Sequence, residues 1–347
     1  MNDSIAEDQN NNFNFLRLLG ACLVIFSHSY DVIGKPEAEP IGIITNNHME
    51  ASAFGLSIFF FISGFFVTKS ALRSPNVFNF VKKRILRIYP ALIILVLISV
   101  FIAGPILTTL SLKNYFSITD TYRYLLTGTG IIIRSSLPGV FQEKQFYIHG
   151  FNASIWSISI EIGLYCSLLI MFLLKFLHQK ETFRYVAALI FIMGFALLAT
   201  HPQLSFTAKR NINLISIFYF GSFAYAVNIS RRAMLLLFIA AAILYGILPN
   251  GIYKTDTNFL LLLLWSIPVF LFGFSKKINL TLRTDISYGL YILAFPVQQI
   301  VFKLFGYDQS VIINLLGTFT LLIPLALASW YLIEKPFIAL KRQISSA

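Results

Sequence analysis

The sequence predicts an all-α, polytopic membrane protein of about ten transmembrane helices with both termini in the cytoplasm. Three observations predict it. Of 347 residues, 57% are hydrophobic and only 12% are charged, about half the roughly 25% of an ordinary soluble domain. The apolar residues gather in uncharged runs near the length, about 20 residues, that a helix needs to cross a bilayer core. The basic residues also divide unevenly between the two sides that these runs define. With the N-terminus inside, 18 of the 27 Lys and Arg fall on the inner side, where positive charge is favoured.

Taken in order, spans are expected near 13–33, 52–72, 88–108, 153–174, 184–200, 212–229, 233–249, 258–274, 286–305 and 311–333. They form a membrane domain over 13–336, between cytoplasmic tails at 1–12 and 337–347. The first run is not expected to be a cleaved leader, because Asp3, Glu7 and Asp8 precede it and no small-residue cleavage site follows. The second is a wall of phenylalanines opened at Ser63 and Gly64. The third is entered through Lys82, Lys83, Arg84 and Arg87. The longest connection, about 105–152, then faces outward. The fourth enters from outside with Trp156 near the interface. Basic residues at 175–184, 231–232, 276–283 and 335–342 mark the remaining inner ends. Cys22 and Cys166 fall inside apolar runs, so neither a disulfide framework nor a metal-thiolate site is expected. The formal charge of +12 is spread along the chain and follows the topology, so nucleic acid is not an expected partner.

An ionisable side chain within the bilayer costs several kcal/mol and is a functional candidate by default. In NFNFLRLLGACLVIFSHSY, residues 12–30, Arg17 and His28 are eleven positions apart. At about 100° and 1.5 Å per residue they share one helix face, roughly 16 Å apart. Arg17 lies near the inner boundary, where it can snorkel to lipid phosphate. His28 lies toward the outer half, as a helix–helix hydrogen bonder or as a base titrating near neutrality. Arg84 and Arg87, three apart, are helical neighbours and can grip phosphate bidentately; a plain topological cluster facing anionic lipid is the other possibility. Glu161, about nine residues into its span, reaches a depth like that of His28. There a carboxylate would orient an imidazole and stabilise its protonated form, unless it is a structural polar pair. Ser63 and Gly64 either permit close helix packing or let a thin acyl chain pass. No phosphate-cradling loop, nucleophile elbow or metal-ligand spacing is present. His48, His149, His178 and His201 fall in loops, where they are expected to be solvated and without partners.

Together these stretches resemble the acyltransferase-3 family of bacterial integral-membrane acyltransferases, which are sugar and polysaccharide O-acetyltransferases. LRLLGACLVIFSH matches its basic-x10-His first span, FFFISGFF its Phe-rich Ser-Gly-Phe, RILRIYP its Arg-x-x-Arg and WSISIE its Trp-Ser-x-x-x-Glu. SYGLYILAFPV, 287–297, matches the opening of its ninth span, and IEKPF, 333–337, its last motif. The chain departs at Ala294, where many relatives carry histidine, and no role is placed on the ninth span. The hydrolase-like domain that some members append is not expected here, which leaves acceptor transfer to the membrane domain or to a separate partner. The resemblance implies transfer of an acyl group, usually acetyl, from cytoplasmic acetyl-CoA. This acyl-CoA is the donor cosubstrate, and no metal is implied. The acceptor is a hydroxyl of a cell-surface or lipid-linked glycan at the bacterial inner membrane, among membrane lipid. On this basis Arg84, Arg87 and Arg17 bind the donor, His28 and Glu161 are catalytic, and Trp156 and Ser63 bind substrate. A polytopic glycan or proton-coupled transporter is the alternative from another class, since intramembrane Glu and His suit one too; an inactive scaffold is a third.

Overall fold

The computed structural model describes residues 11–46, 49–201, 203–247, 259–275, 277–282 and 284–345. Asp3, Glu7, Asp8, His48, Lys276, Arg283 and the side chain of His178 lie outside the described set, as do residues 248, 249 and 258 at the ends of two expected spans. Among the described residues there are helices and no strands. Ten long helices lie over the ten expected spans: α1 (Phe13–Val32), α2 (Ala51–Leu72), α3 (Val77–Ile98), α4 (Ser157–Leu173), α5 (Lys180–Thr200), α6 (Phe206–Ala226), α7 (Arg231–Ile247), α8 (Phe259–Gly273), α9 (Ser287–Phe305) and α10 (Val311–Ser329). Six are long and apolar enough to cross a membrane: α1, α2, the run Val77–Leu107 that begins as α3, Glu181–Thr200 of α5, α9, and the run Val311–Leu340 that begins as α10. The chain is thus a polytopic membrane protein. α4 and most of α8 are apolar but shorter.

Two boundaries differ from expectation for physical reasons. α3 starts at Val77, eleven residues before the expected span, so the basic cluster is helical. Its buried residues Phe80, Lys83, Ile88, Leu92 and Leu95 keep a helical period straight through the charges, which an average of hydropathy does not see. α4 starts late, at Ser157. Ahead of it the Asn152 amide donates to Ile292 O at 2.9 Å and Ser154 Oγ donates to Asn152 Oδ1 at 3.0 Å, which holds 152–156 out of the helix. Trp156 therefore stands just before the first turn.

The chain divides into two compact units. The first comprises Met1–Val24, Pro40–Val77 and Leu164–Asp285. Asn12, 1% exposed, ties the start of α1 into it, donating to Phe272 O and Ile278 O and accepting from Leu280 N–H. At its centre α2 crosses α6 through two glycines. A Cβ on Gly64 would lie 1.9 Å from Phe218 O, and one on Gly221 2.3 Å from Phe61 O. The rings of Phe61, Phe65, Phe220 and Phe270 interlock around this crossing. Gly64 therefore serves close backbone approach and leaves no passage for an acyl chain at that point. Gly64→Ala is expected to lower stability by about 1–3 kcal/mol through overpacking. Thermal unfolding of the detergent-solubilised protein measures this, and an unchanged midpoint would contradict the tight crossing.

The second unit comprises Ile25–Glu39, Phe78–Gly163 and Ile286–Ala347. Here α3 runs into a π turn, Ser99–Ala103, closed by Gly104 N–H on Ser99 O, with Pro105 next. Pro105 has no N–H to give, and the Val100 carbonyl instead accepts the Tyr115 hydroxyl at 3.0 Å. Only glycine fits at 104, where a Cβ would sit 2.0 Å from that hydroxyl. Burial, and then Tyr122 nearby, push the Tyr115 phenol up to about 12, so it remains a donor at neutral pH. α10 ends in the same way. A π turn over Trp330–Glu334 is closed by Lys335 N–H on Trp330 O, and Pro336 follows.

An ion pair fastens the long connection to α9, with Lys303 Nζ donating to Glu143 Oε1 at 3.0 Å. Burial raises the Glu143 carboxyl, but backbone amides and Lys303 outweigh it and hold the group below its ordinary 4.5. A carboxyl depressed in the folded state contributes stability above its unfolded value and loses it as pH falls through the folded one. Glu143→Gln is therefore expected to melt below the native protein at pH 7, with the gap closing as pH drops below 4.5. A gap independent of pH would contradict the pairing.

Candidate active site

His28 stands in the last turns of α1, within the second unit. Its Nδ1 lies 3.0 Å from Asp31 Oδ2, three residues on, and the two side chains are 19% and 20% exposed. A carboxylate can only accept, so Nδ1 carries a proton, and in the neutral ring Nε2 is the nitrogen with the free lone pair. The Phe295 ring meets the imidazole edge to face, with centroids 5.7 Å apart at 85°, and fixes its plane. Phe295 directly follows Ala294, itself 1% exposed. One turn after Ala294, the Gln298 amide donates to Ile25 O and Ser29 Oγ, both at 2.8 Å, so α9 grips this end of α1 on both sides of His28. From sequence the orienting carboxylate is expected to be Glu161; at Nδ1 the structure places Asp31. Glu161 is half-buried on the second turn of α4, in the same unit.

Three motifs quoted separately from the sequence meet at Arg87. Its Nη1 lies 3.9 Å from Glu334 Oε2, a carboxylate only 2% exposed. Ser329 Oγ donates to Glu334 Oε1 at 2.9 Å. Gly289 leaves room for that oxygen, since a Cβ there would approach it to 3.1 Å. The guanidinium lies 5.8 Å from the centroid of the Tyr288 ring, and Tyr288 Oη donates to Ile88 O at 3.0 Å. Arg84 is half-buried one turn earlier on α3. The second tyrosine of SYGLY supports the segment that leads into α4. Tyr291 Oη donates to Ser154 O at 2.6 Å and lies 2.7 Å from Ser157 Oγ, on either side of the half-buried Trp156.

Arg17 and Ser63 belong to the first unit. Arg17 Nη1 donates to Asn14 Oδ1 at 3.2 Å and lies 3.6 Å from Asp285 Oδ2. The guanidinium stands over the Phe66 ring at 5.8 Å. Its anchor is thus a protein carboxylate that sequence reading missed. Ser63 Oγ lies 3.2 Å from Tyr165 Oη. The structure therefore brings His28, Arg84, Arg87, Trp156 and Glu161 into one unit and assigns Arg17 and Ser63 to the other. His149 is exposed as expected. His201 is exposed but has a partner, Thr200 Oγ1 at 2.7 Å. Among the described residues no group of three His, Cys, Asp or Glu stands close enough to hold a metal ion.

Residues 10–335 match the model of a known family, described as an acyltransferase domain. The chain belongs to the acyltransferase-3 family. It is similar to a protein of Shigella phage Sf6 named O-acetyl transferase, at 29% identity over 95% of this chain and 96% of the relative. It is also similar to Nodulation protein 10 of Rhizobium leguminosarum bv. viciae, at 26% identity over 96% of this chain and 95% of the relative. No solved structure matches it. For an acyltransferase-3 protein the histidine and arginine motifs were legible in the sequence. Asp31, Asp285 and Glu334 were not recognised as partners. Only Asp31 had a local signal, its i,i+3 spacing from His28.

Proposed function

We propose that this acyltransferase moves an acetyl group from cytoplasmic acetyl-CoA to a hydroxyl of a cell-surface or lipid-linked glycan, in the inner membrane of a bacterium. Ten spans with both termini inside are the topology in which it works. The observation that carries the proposal is the His28 Nδ1 to Asp31 pair at 3.0 Å, a preset base on a membrane helix. The name of the phage relative supports acetyl as the group and oxygen as the acceptor atom. Arg84 and Arg87 hold the donor phosphates at the inner side, and Arg17 is a further contact. Nε2 of His28 takes the proton of the acceptor hydroxyl as its oxygen attacks the thioester carbon. The C–S bond breaks, and the coenzyme A thiolate leaves and takes up the proton from the imidazolium. Asp31 fixes the tautomer and offsets the imidazolium charge. Glu161 is a second carboxylate assisting at the same depth. Trp156 presents an aromatic face to the acceptor sugar, and Ser63 is a further substrate contact.

The test is purified protein with acetyl-labelled acetyl-CoA and membrane extracts as the source of acceptor. Label in glycan together with free coenzyme A is expected. No label in glycan and no acceptor-dependent release of coenzyme A would overturn the proposal; movement of a separately labelled glycan across the membrane would then point to a transporter.

A further inference from the structure

We propose that a polar cleft on the outer connection binds an oxyanion carried by the acceptor, so that the acceptor is a negatively charged glycan or glycolipid. This deepens the function proposed above and rests on its topology. The cleft has a volume of about 490 Å³, within the roughly 300–1,000 Å³ of small-molecule sites. Its polar lining is Asp120, Arg123, Arg134, Ser135, Ser136 and Gln142, over a base that includes Leu137 and Pro138.

The charges decide the ligand class. Arg123 is taken by Asp120, with Nη1 to Oδ1 at 3.1 Å. Arg134 has no acidic partner among the described residues, so the cleft carries one uncompensated positive charge. A guanidinium recognises carboxylate or phosphate with two parallel hydrogen bonds. The hydroxyls of Ser135 and Ser136 and the Gln142 amide can both donate and accept, as sugar hydroxyls require.

The cleft is also built to keep its shape. Residues 131–156 contain no helix or strand, and loops beyond about 12–15 residues inside a compact unit are usually functional. This one is pinned on three sides. Arg134 N–H donates to Thr127 Oγ1 at 2.9 Å, and that hydroxyl returns a bond to Arg134 O. Thr108 Oγ1 donates to Pro138 O at 2.9 Å, and Thr109 N–H donates to Gly139 O at 3.0 Å. Asn152 N–H donates to Ser135 O at 2.9 Å. The last anchor leads to the base, within the same unit. The Asn152 amide donates to Ile292 O at 2.9 Å, and Phe295, one turn along α9, meets the His28 ring. A glycan held in the cleft is thus connected through two anchored residues to the wall of the imidazole.

The experiment measures binding without acetyl-CoA, so its outcome is independent of whether acetyl transfer occurs. Full-length protein in phosphatidylcholine nanodiscs is titrated by isothermal titration calorimetry with methyl glucuronide, uncharged methyl glucoside and inorganic pyrophosphate. Glucuronide or pyrophosphate is expected to bind about fivefold more tightly than glucoside, the scale of one exposed charge pair, and to weaken as salt is raised. Arg134→Gln should remove that preference, and Arg134→Lys should restore part of it. Glucuronide bound without competition by pyrophosphate identifies an acidic sugar as the source of the oxyanion. Pyrophosphate bound alone, or displacing glucuronide, identifies a lipid-carrier diphosphate. Equal binding of glucoside and glucuronide without pyrophosphate binding, a preference unchanged in Arg134→Gln, or no binding of any probe would overturn the proposal. If Arg134→Gln does not fold, the salt dependence of the native protein decides.

Discussion

His28→Ala is expected to reduce acetyl transfer by roughly 10²–10⁴-fold, the usual contribution of a positioned base, while the protein remains folded. The imidazole has a protein carboxylate on one nitrogen and a phenylalanine edge on its face. Both are arrangements that fix a ring rather than fill space. His28 is also about one-fifth exposed, so truncation opens no sealed cavity and should cost little stability. Asp31→Asn separates two roles within the dyad. An asparagine can donate to Nδ1 as well as accept, so the tautomer is no longer imposed. Activity should fall between that of the native protein and that of His28→Ala. Retained transfer in His28→Ala protein of native melting temperature would remove the base from the mechanism.

Arg87→Ala should raise the KM for acetyl-CoA about tenfold or more, the effect of losing a charge-assisted phosphate contact, and should also destabilise the fold. The second effect arises because Glu334, 2% exposed, loses the guanidinium 3.9 Å from its carboxylate. Breaking a fully buried pair costs about 3–5 kcal/mol. Here about 2 kcal/mol is the better expectation, because Arg87 is 24% exposed and the contact is 3.9 Å. The double variant Arg87→Ala/Glu334→Gln tells binding from scaffolding. Neutralising Glu334 as well should recover most of the melting temperature and leave the KM high. Should the KM recover together with stability, Arg87 acts only through the fold and donor recognition lies elsewhere.

Legibility followed the range of the interactions. Helix content, the six long apolar helices and the alignment of Arg84 with Arg87 are consequences of composition and of a 3.6-residue period, which a linear sequence displays. Glu334 was visible within IEKPF, but its partner lies 247 positions away on α3, and no local pattern encodes that distance. Asp285 opposite Arg17 is the same case. Asp31 failed for another reason: at the end of an apolar run an aspartate looks like the chain emerging into water. Trp156 was placed inside a helix because nothing in WSISIE betrays the Asn152 and Tyr291 bonds that hold the preceding segment out of the helix. Gly64 was correctly suspected of close packing, but which helix it meets depends on Gly221, far along the chain.

The π turn that ends α10 holds a spare residue. Five residues there occupy a turn that an α-helix would close with fewer. Removing one residue between Ser329 and Glu334 would let the helix revert to ordinary winding, in which four residues already turn by about 400°, so the side chains beyond would keep nearly their present phase. A deletion in a stretch of ordinary α-helix has no such slack and swings everything beyond by about 100°.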